Sequence, residues 1–342
     1  MYVRRTVRIA GVVADSWRAL AIVVVWTAFL ALLRLGLSAR MVAMPVLPIS
    51  VVGIAVSLFL GIKSKSAYDR WWEARQSLGA LAALSRTWAM LVNGLSPTAL
   101  GADEATIRRD LIYRHVAAMY AFAVRMRRSS RLSAGGGAGI FLRRRLVDPS
   151  ILLSTPEAFR SFLPENEYAA ALAMPNACSF LLTRQSAVVQ ALTHEGRLNL
   201  MQQDILLRTL GEIVSGQGRC ERIKTTPFPR QIAWFGTLFT WIYVLLVPPG
   251  LLDTFLHESM FQNMPPDMAN RFVAIHMVLG LVIAWVFVMM ERISDSTEDP
   301  FEGGVHDVPL SSTCRMVEIE LRASLGETEL PPRLEPVDDV MY

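Results

Sequence analysis

Five histidines and three cysteines are the side chains best suited to nucleophilic, acid–base or metal chemistry, and their spacing assembles none of it. His257-Glu258 is not followed by the second histidine, four residues on, that would put two imidazoles on one helix face around zinc. His115, His194 and His306 stand alone, and His276 falls inside an apolar run, where a buried, hydrogen-bonded imidazole is the expected state. Cys178, Cys220 and Cys314 are far apart and odd in number, which gives neither a zinc quartet nor a disulfide framework and fits reducing surroundings. The glycine-rich stretch 133–139 precedes Arg143-Arg144-Arg145 but lacks the strand and Lys-Ser/Thr pair of a phosphate-binding loop. It reads as a flexible loop beside a solvated or lipid-facing basic cluster. No catalytic residue and no cofactor is expected, and the remaining chemistry is passage of solutes. Ile54, Leu58 and Ile62 recur every four residues, which stacks them on one narrow helix face over two turns, about 12 Å. Copies of that face ringed around an axis would make an aliphatic constriction, with Gly53, Ala55, Ser57 and Gly61 admitting neighbouring helices. On periodicity alone an ordinary tilted helix packed on its own subunit is the preferred reading.

Such a face has to be held in a bilayer, and the composition supplies the means. Of 342 residues, 52% are hydrophobic and 19% charged, outside the usual balance of a soluble protein. The mean hydropathy is +0.35. Residues 19–33 are apolar and anchored by Trp17 and Arg18; residues 41–62, 231–252 and 272–290 contain no Asp, Glu, Lys or Arg, and each is long enough to span. The first run lacks a clean small-residue cleavage site and is read as a retained anchor. Pro248-Pro249 is expected to break the third near its outer end. Of the lysines and arginines, 23 lie between Lys63 and Arg230 and four in the first 18 residues, so both termini and the middle segment are expected in the cytoplasm, at the inner membrane. The second run continues without a proline through Lys63, Lys65, Asp69, Arg70, Glu73 and Arg75, predicting a long rod with Tyr68, Trp71 and Trp72 as an interfacial belt on an ion-pair face. Helical spacing of Leu78, Leu81, Leu84, Trp88 and Leu91 makes the middle segment a helical domain. The expected division is residues 1–63 with two spans, 64–229 as the cytosolic domain, 230–292 with two more spans, and 293–342 as a cytosolic end whose tail, 327–342, is mobile or loosely docked. The net charge of +4 and pI near 9.1 follow the positive-inside pattern, which names membrane lipid rather than nucleic acid as the partner. A secondary carrier is disfavoured because the spans hold no charge and the halves show no repeat.

Phe59-Leu60-Gly61-Ile62 followed by Tyr68-Asp69-Arg70-Trp71-Trp72-Glu73-Ala74-Arg75 resembles the second-helix signature of the bestrophin family. Cys220-Glu221-Arg222-Ile223 with Thr226-Pro227-Phe228-Pro229, and Glu298-Asp299-Pro300-Phe301 with Asp307-Val308-Pro309-Leu310 and Cys314-Arg315, are similar to two further blocks of the same family. The resemblance implies an all-α integral membrane protein with four transmembrane helices per subunit and a helical cytosolic domain, assembled as a homopentamer around one axial pore. It implies passive conduction of small monovalent ions, with chloride as the family's ion and sodium the alternative. Ile54, Leu58 and Ile62 would line a hydrophobic neck, and Ile205, or Leu206 beside it, a second aperture. Eukaryotic members carry aromatic residues in the neck, whose ring edges could favour an anion; the aliphatic residues here have no such quadrupole. Those members also clasp calcium with an acidic run after this block. Here Asp299 and Asp307 match family ligand positions, but the acids between them are missing, so a structural turn is expected ahead of a calcium switch.

Overall fold

The computed structural model describes residues 1, 3, 9–36, 43–96, 100–127, 151, 153–226, 228–257 and 265–342. The glycine-rich stretch, the Arg143–Arg145 cluster and Glu258 lie outside them. Among the described residues the chain is all helix apart from an isolated bridge between Val337 and Val340. The described residues form nine α-helices in order: α1 Ile9–Gly36, α2 Val46–Asn93, α3 Glu104–Arg127, α4 Glu165–Ala173, α5 Ala177–His194, α6 Leu200–Thr225, α7 Arg230–His257, α8 Pro266–Glu298 and α9 Leu310–Ser324. Short 3₁₀ turns, Gly101–Asp103 and Pro156–Phe162, connect them.

Among the described residues four helices, α1, α2, α7 and α8, are long and apolar enough to cross a membrane. The most internal of them buries only 44% of its apolar span within the chain, so most of this surface needs lipid or another subunit for cover. They form one bundle in which α7 and α8 pack on each other and on α2, with α1 against α8. At 48 residues, α2 is about 72 Å long and carries the chain out of the bundle into the other half of the molecule. No proline interrupts it after the first turn, and the expected rod is there.

The extramembrane half is organised around α3. From Leu111 onward nearly every α3 side chain is buried, which marks a helix enclosed on all sides rather than amphipathic. Alanines 117, 118, 121 and 123 keep it thin enough for α2, α5 and α9 to pack around it. The core they share includes Leu78, Leu81, Trp88, Phe122, Leu181 and Val317. Asn176 caps α5, and Asn199 with Gln202 forms a reciprocal capping box on α6, fixing where each of these helices starts.

Two expectations are corrected. α7 runs straight through Pro248 and Pro249 to His257 instead of breaking. Pro249 has no N–H for the Leu245 carbonyl, and the Trp26 indole of α1 donates to that oxygen instead, at 2.9 Å. A foreign donor inside the bundle thus replaces the missing rung, and the helix survives. The tail is docked rather than loose: Val340 and Tyr342 are buried, and the Ser312 N–H donates to the Tyr342 carbonyl at 2.7 Å. Arg322 and Tyr113 also hold Glu327 at 2.7 Å each.

Candidate pore helix and its anchors

α2 has two faces. Ile49, Gly53, Val56, Leu60, Lys63 and Ala67, spaced three and four apart, are buried against the chain's own helices. Ile54, Leu58 and Ile62 point the other way and are 71%, 68% and 55% exposed. The three expected neck residues therefore share one free aliphatic face. Gly53 admits a neighbouring helix, as expected, and that helix is α7 of the same chain: an added Cβ would fall 2.7 Å from the Tyr243 ring. Among the described residues outside its own turn, nothing lies within 4 Å of a Cβ added at Gly61, which belongs to the free side.

The charge-free reading of the spans stopped one residue short of the strongest polar contact in the bundle. The Lys63 ammonium is fully buried and donates to Glu291 Oε1 at 2.7 Å and Asp295 Oδ1 at 2.6 Å, both on α8. The Thr237 hydroxyl of α7 also binds Glu291, and Ser64 and Ser294 exchange a hydrogen bond at 2.6 Å beside it. One cation and two carboxylates thus lock α2 to α8 next to Ile62, and the Thr237 hydroxyl brings in α7. The signal was present in the sequence: Lys63 and Glu291 are each the first charge after an apolar run, and the second and fourth of four spans cross in the same direction, which sets both charges at one face of the bilayer.

Further along α2, Arg70 does more than sit on an ion-pair face. Its Nε donates to the Glu298 carbonyl at 2.8 Å, Nη1 to Thr226 at 2.6 Å and Nη2 to Ile223 at 2.7 Å. These oxygens belong to the C-terminal ends of α8 and α6, where carbonyls lack intrahelical donors and the helix dipole is negative. One planar guanidinium closes two helix ends, which explains an arginine at this place in the aromatic block. Glu221, in the Cys220–Ile223 block, plays the matching role inside the domain, accepting from Arg125 at 2.8 Å, Asn176 at 3.0 Å and Gln217 at 2.7 Å. It ties α3, α5 and α6 together.

The two aspartates considered for calcium take different paths. Asp307 accepts from the N–H groups of Phe301 and Val308, each at 2.6 Å, from Gly303 at 2.5 Å and from Arg127 at 2.9 Å. Both of its oxygens face donors, and the turn they hold has Phe301 at φ +72° and Gly303 at φ +83°. Asp299 ends α8 and lies 3.8 Å from Arg70. Among the described residues no group of three His, Cys, Asp or Glu side chains is placed to hold a metal. Arg127 of α3 ties this turn to the domain core.

Ile205 and Leu206, adjacent in α6, part company. Ile205 is 43% exposed and Leu206 only 2%, so of the two only Ile205 has a free side chain. Met201 is exposed on the same side, and Asp204 pairs with Arg208 at 2.8 Å. Burial pushes the Cys220 and Cys314 thiols up to about 12 and the Cys178 thiol further still, so none is a ready nucleophile. His115 is enclosed in the domain core beside Trp88, and His276 sets Nδ1 2.8 Å from the Phe272 carbonyl one turn back.

A family model described as Bacterial/Fungal Bestrophin protein matches residues 5–323. The chain belongs to the bestrophin family. The bestrophin fold is borne out by solved structures: a bacterial bestrophin homologue from Klebsiella pneumoniae superposes with a TM-score of 0.70 at 21% identity, covering 91% of this chain and 98% of that one. A second crystal structure, of a membrane protein, reaches 0.73 at 21% identity over 92% and 100% of the two chains. Among curated relatives, a protein of Mesorhizobium japonicum named voltage-dependent anion channel-forming protein is 26% identical over 296 residues, 86% of this chain and 79% of the relative. One of the same description from Escherichia coli is 22% identical over 289 residues, 84% and 80%. This bestrophin is a multi-pass membrane protein from a family of ion channels, not an enzyme.

Proposed function

We propose that this bestrophin is a homopentameric channel through which small anions, chloride foremost, pass the inner membrane passively. The extramembrane domain and both termini are cytoplasmic, and lipid surrounds the four spans. Its pore is narrowest at a neck of Ile54, Leu58 and Ile62, with Ile205 as a second aperture at the far end of the domain. The observation that carries this reading is the free aliphatic face of α2, set on a helix whose opposite side is locked into the subunit. A ring of such faces excludes water when narrow and admits hydrated ions after a small rotation, which is gating by dewetting. The relatives named as anion channel-forming proteins support the choice of anion. The inner-membrane topology is supported by the arginine and lysine distribution, and by the Met1 amino group, which donates to the Met341 carbonyl at 2.6 Å so that both ends lie on one side.

A second reading, sodium conduction on the same architecture, is favoured by one feature: an aliphatic neck has no positive ring edges to prefer an anion. Purified protein in a planar bilayer under a sodium chloride gradient separates the two. A reversal potential near that of chloride is the expected result, a reversal near that of sodium would replace it with the cation reading, and no current would overturn both.

A further inference from the structure

Two lysines stand where α2 leaves the bundle, and they have opposite fates. Lys63 points into its own subunit, where Glu291 and Asp295 neutralise it, so its charge is confined to helix packing. The Lys65 side chain is 69% exposed and pairs with Asp69, one turn on and itself 55% exposed. At about 100° per residue, Lys65 and Asp69 project about 20° and 60° from Ile54, inside the arc of about 80° covered by Ile54, Leu58 and Ile62. At 1.5 Å per residue, Lys65 lies about 4.5 Å beyond Ile62 along the helix and Asp69 about 10 Å beyond it. On the described part of α2, Lys65 is thus the exposed charge nearest the neck.

We propose that Lys65 and Asp69 form a two-layer charge filter at the cytosolic mouth of the neck, the lysine layer admitting anions and the aspartate layer opposing it. This rests on the channel reading above. The neck itself supplies no charge preference, so discrimination falls to the first fixed charge an ion meets on leaving or entering it. An exposed i,i+4 pair is worth less than thermal energy, and lysine preceding the acid is the weaker order. A permeating anion therefore competes with Asp69 for the ammonium on even terms. Five lysines around a narrow lumen, walled by protein instead of water, act on it far more strongly than they would on an open surface. The lysine layer is nearer the constriction than the aspartate layer by about one turn, 6 Å, and that order sets the sign of the preference.

The test uses the full chain in planar bilayers under a sodium chloride gradient. Lys65→Gln is expected to lower the chloride-to-sodium permeability ratio at least threefold, Asp69→Asn to raise it, and the double variant to fall between, with all shifts shrinking at high ionic strength. Because a variant that fails to fold would hide the effect, Lys65→Cys is modified after purification with an anionic or a cationic thiosulfonate reagent. The three native cysteines are buried, so the label reports position 65, and the two reagents should move the reversal potential in opposite directions. Wild-type current with the same reversal potential in every variant and after both labels overturns the filter and leaves the channel standing. No wild-type current overturns the channel reading, and the filter with it.

Discussion

His115 shows how a single side chain can be essential to a domain without doing chemistry. Enclosed by Trp88 and the α3 and α5 core, it is held neutral: burial brings its pKa from 6.5 down to about 4, against a smaller opposing pull from Gln185. Between those two values the unfolded chain binds a proton that the folded chain refuses. Stability is therefore whole above pH 6.5, declines as the pH falls through the window and levels off below 4. The loss amounts to about 3 kcal/mol at 1.36 kcal/mol per pKa unit. Thermal unfolding in detergent from pH 7.5 to 4.5 should show this slope, and His115→Gln should flatten it; an unchanged slope would mean that another group titrates. The buried cysteines are the same kind of residue, stabilising as small apolar groups with thiols kept protonated.

At the level of helices, the contact that fixes α2 is Lys63 between Glu291 and Asp295. Removing one partner of a buried ionic group strands the others in a poor solvent, at a cost of about 3–5 kcal/mol, whereas replacing the whole group with neutral side chains recovers most of it. Lys63→Met should lower the melting temperature sharply, and Lys63→Met with Glu291→Gln and Asp295→Asn should restore it. A single variant as stable as the parent would show that α2 is held by apolar packing alone. Hydropathy revealed the four spans because the bilayer demands long apolar runs, and it revealed the α2 rod because no proline follows the first turn. It marked Lys63 and Glu291 as the first charges past two spans but could not by itself pair them across 228 residues, nor find the three carbonyls that Arg70 closes, since backbone acceptors carry no residue identity. Pro248-Pro249 misled for the same reason: the rescue of the Leu245 carbonyl comes from Trp26, in another helix. The shared face of Ile54, Leu58 and Ile62 was readable from spacing, but that Ile205 is exposed and Leu206 buried required knowing which side of α6 meets the core.

Taken whole, the molecule has one half that closes on itself and one that does not. The extramembrane domain has a continuous core, while the four spans leave most of their apolar surface uncovered and place three aliphatic side chains on the open side of α2. Replacing Ile54, Leu58 and Ile62 together by alanine should widen the constriction and raise single-channel conductance several-fold, with little change in folding because none of the three is in the core. Currents unchanged in size would move the neck elsewhere. The unbroken run of α2 then has a mechanical meaning. A stiff shaft clamped near its middle by Lys63 and Arg70 transmits torque from the domain to the constriction with nowhere to lose it. With side chains reaching about 5–6 Å from the helix axis, a turn of about 20° sweeps the Leu58 side chain sideways by about 2 Å. In the proposed channel a rotation of the domain, whether driven by a bound partner, a lipid or a voltage, would work the constriction as a crank works a valve.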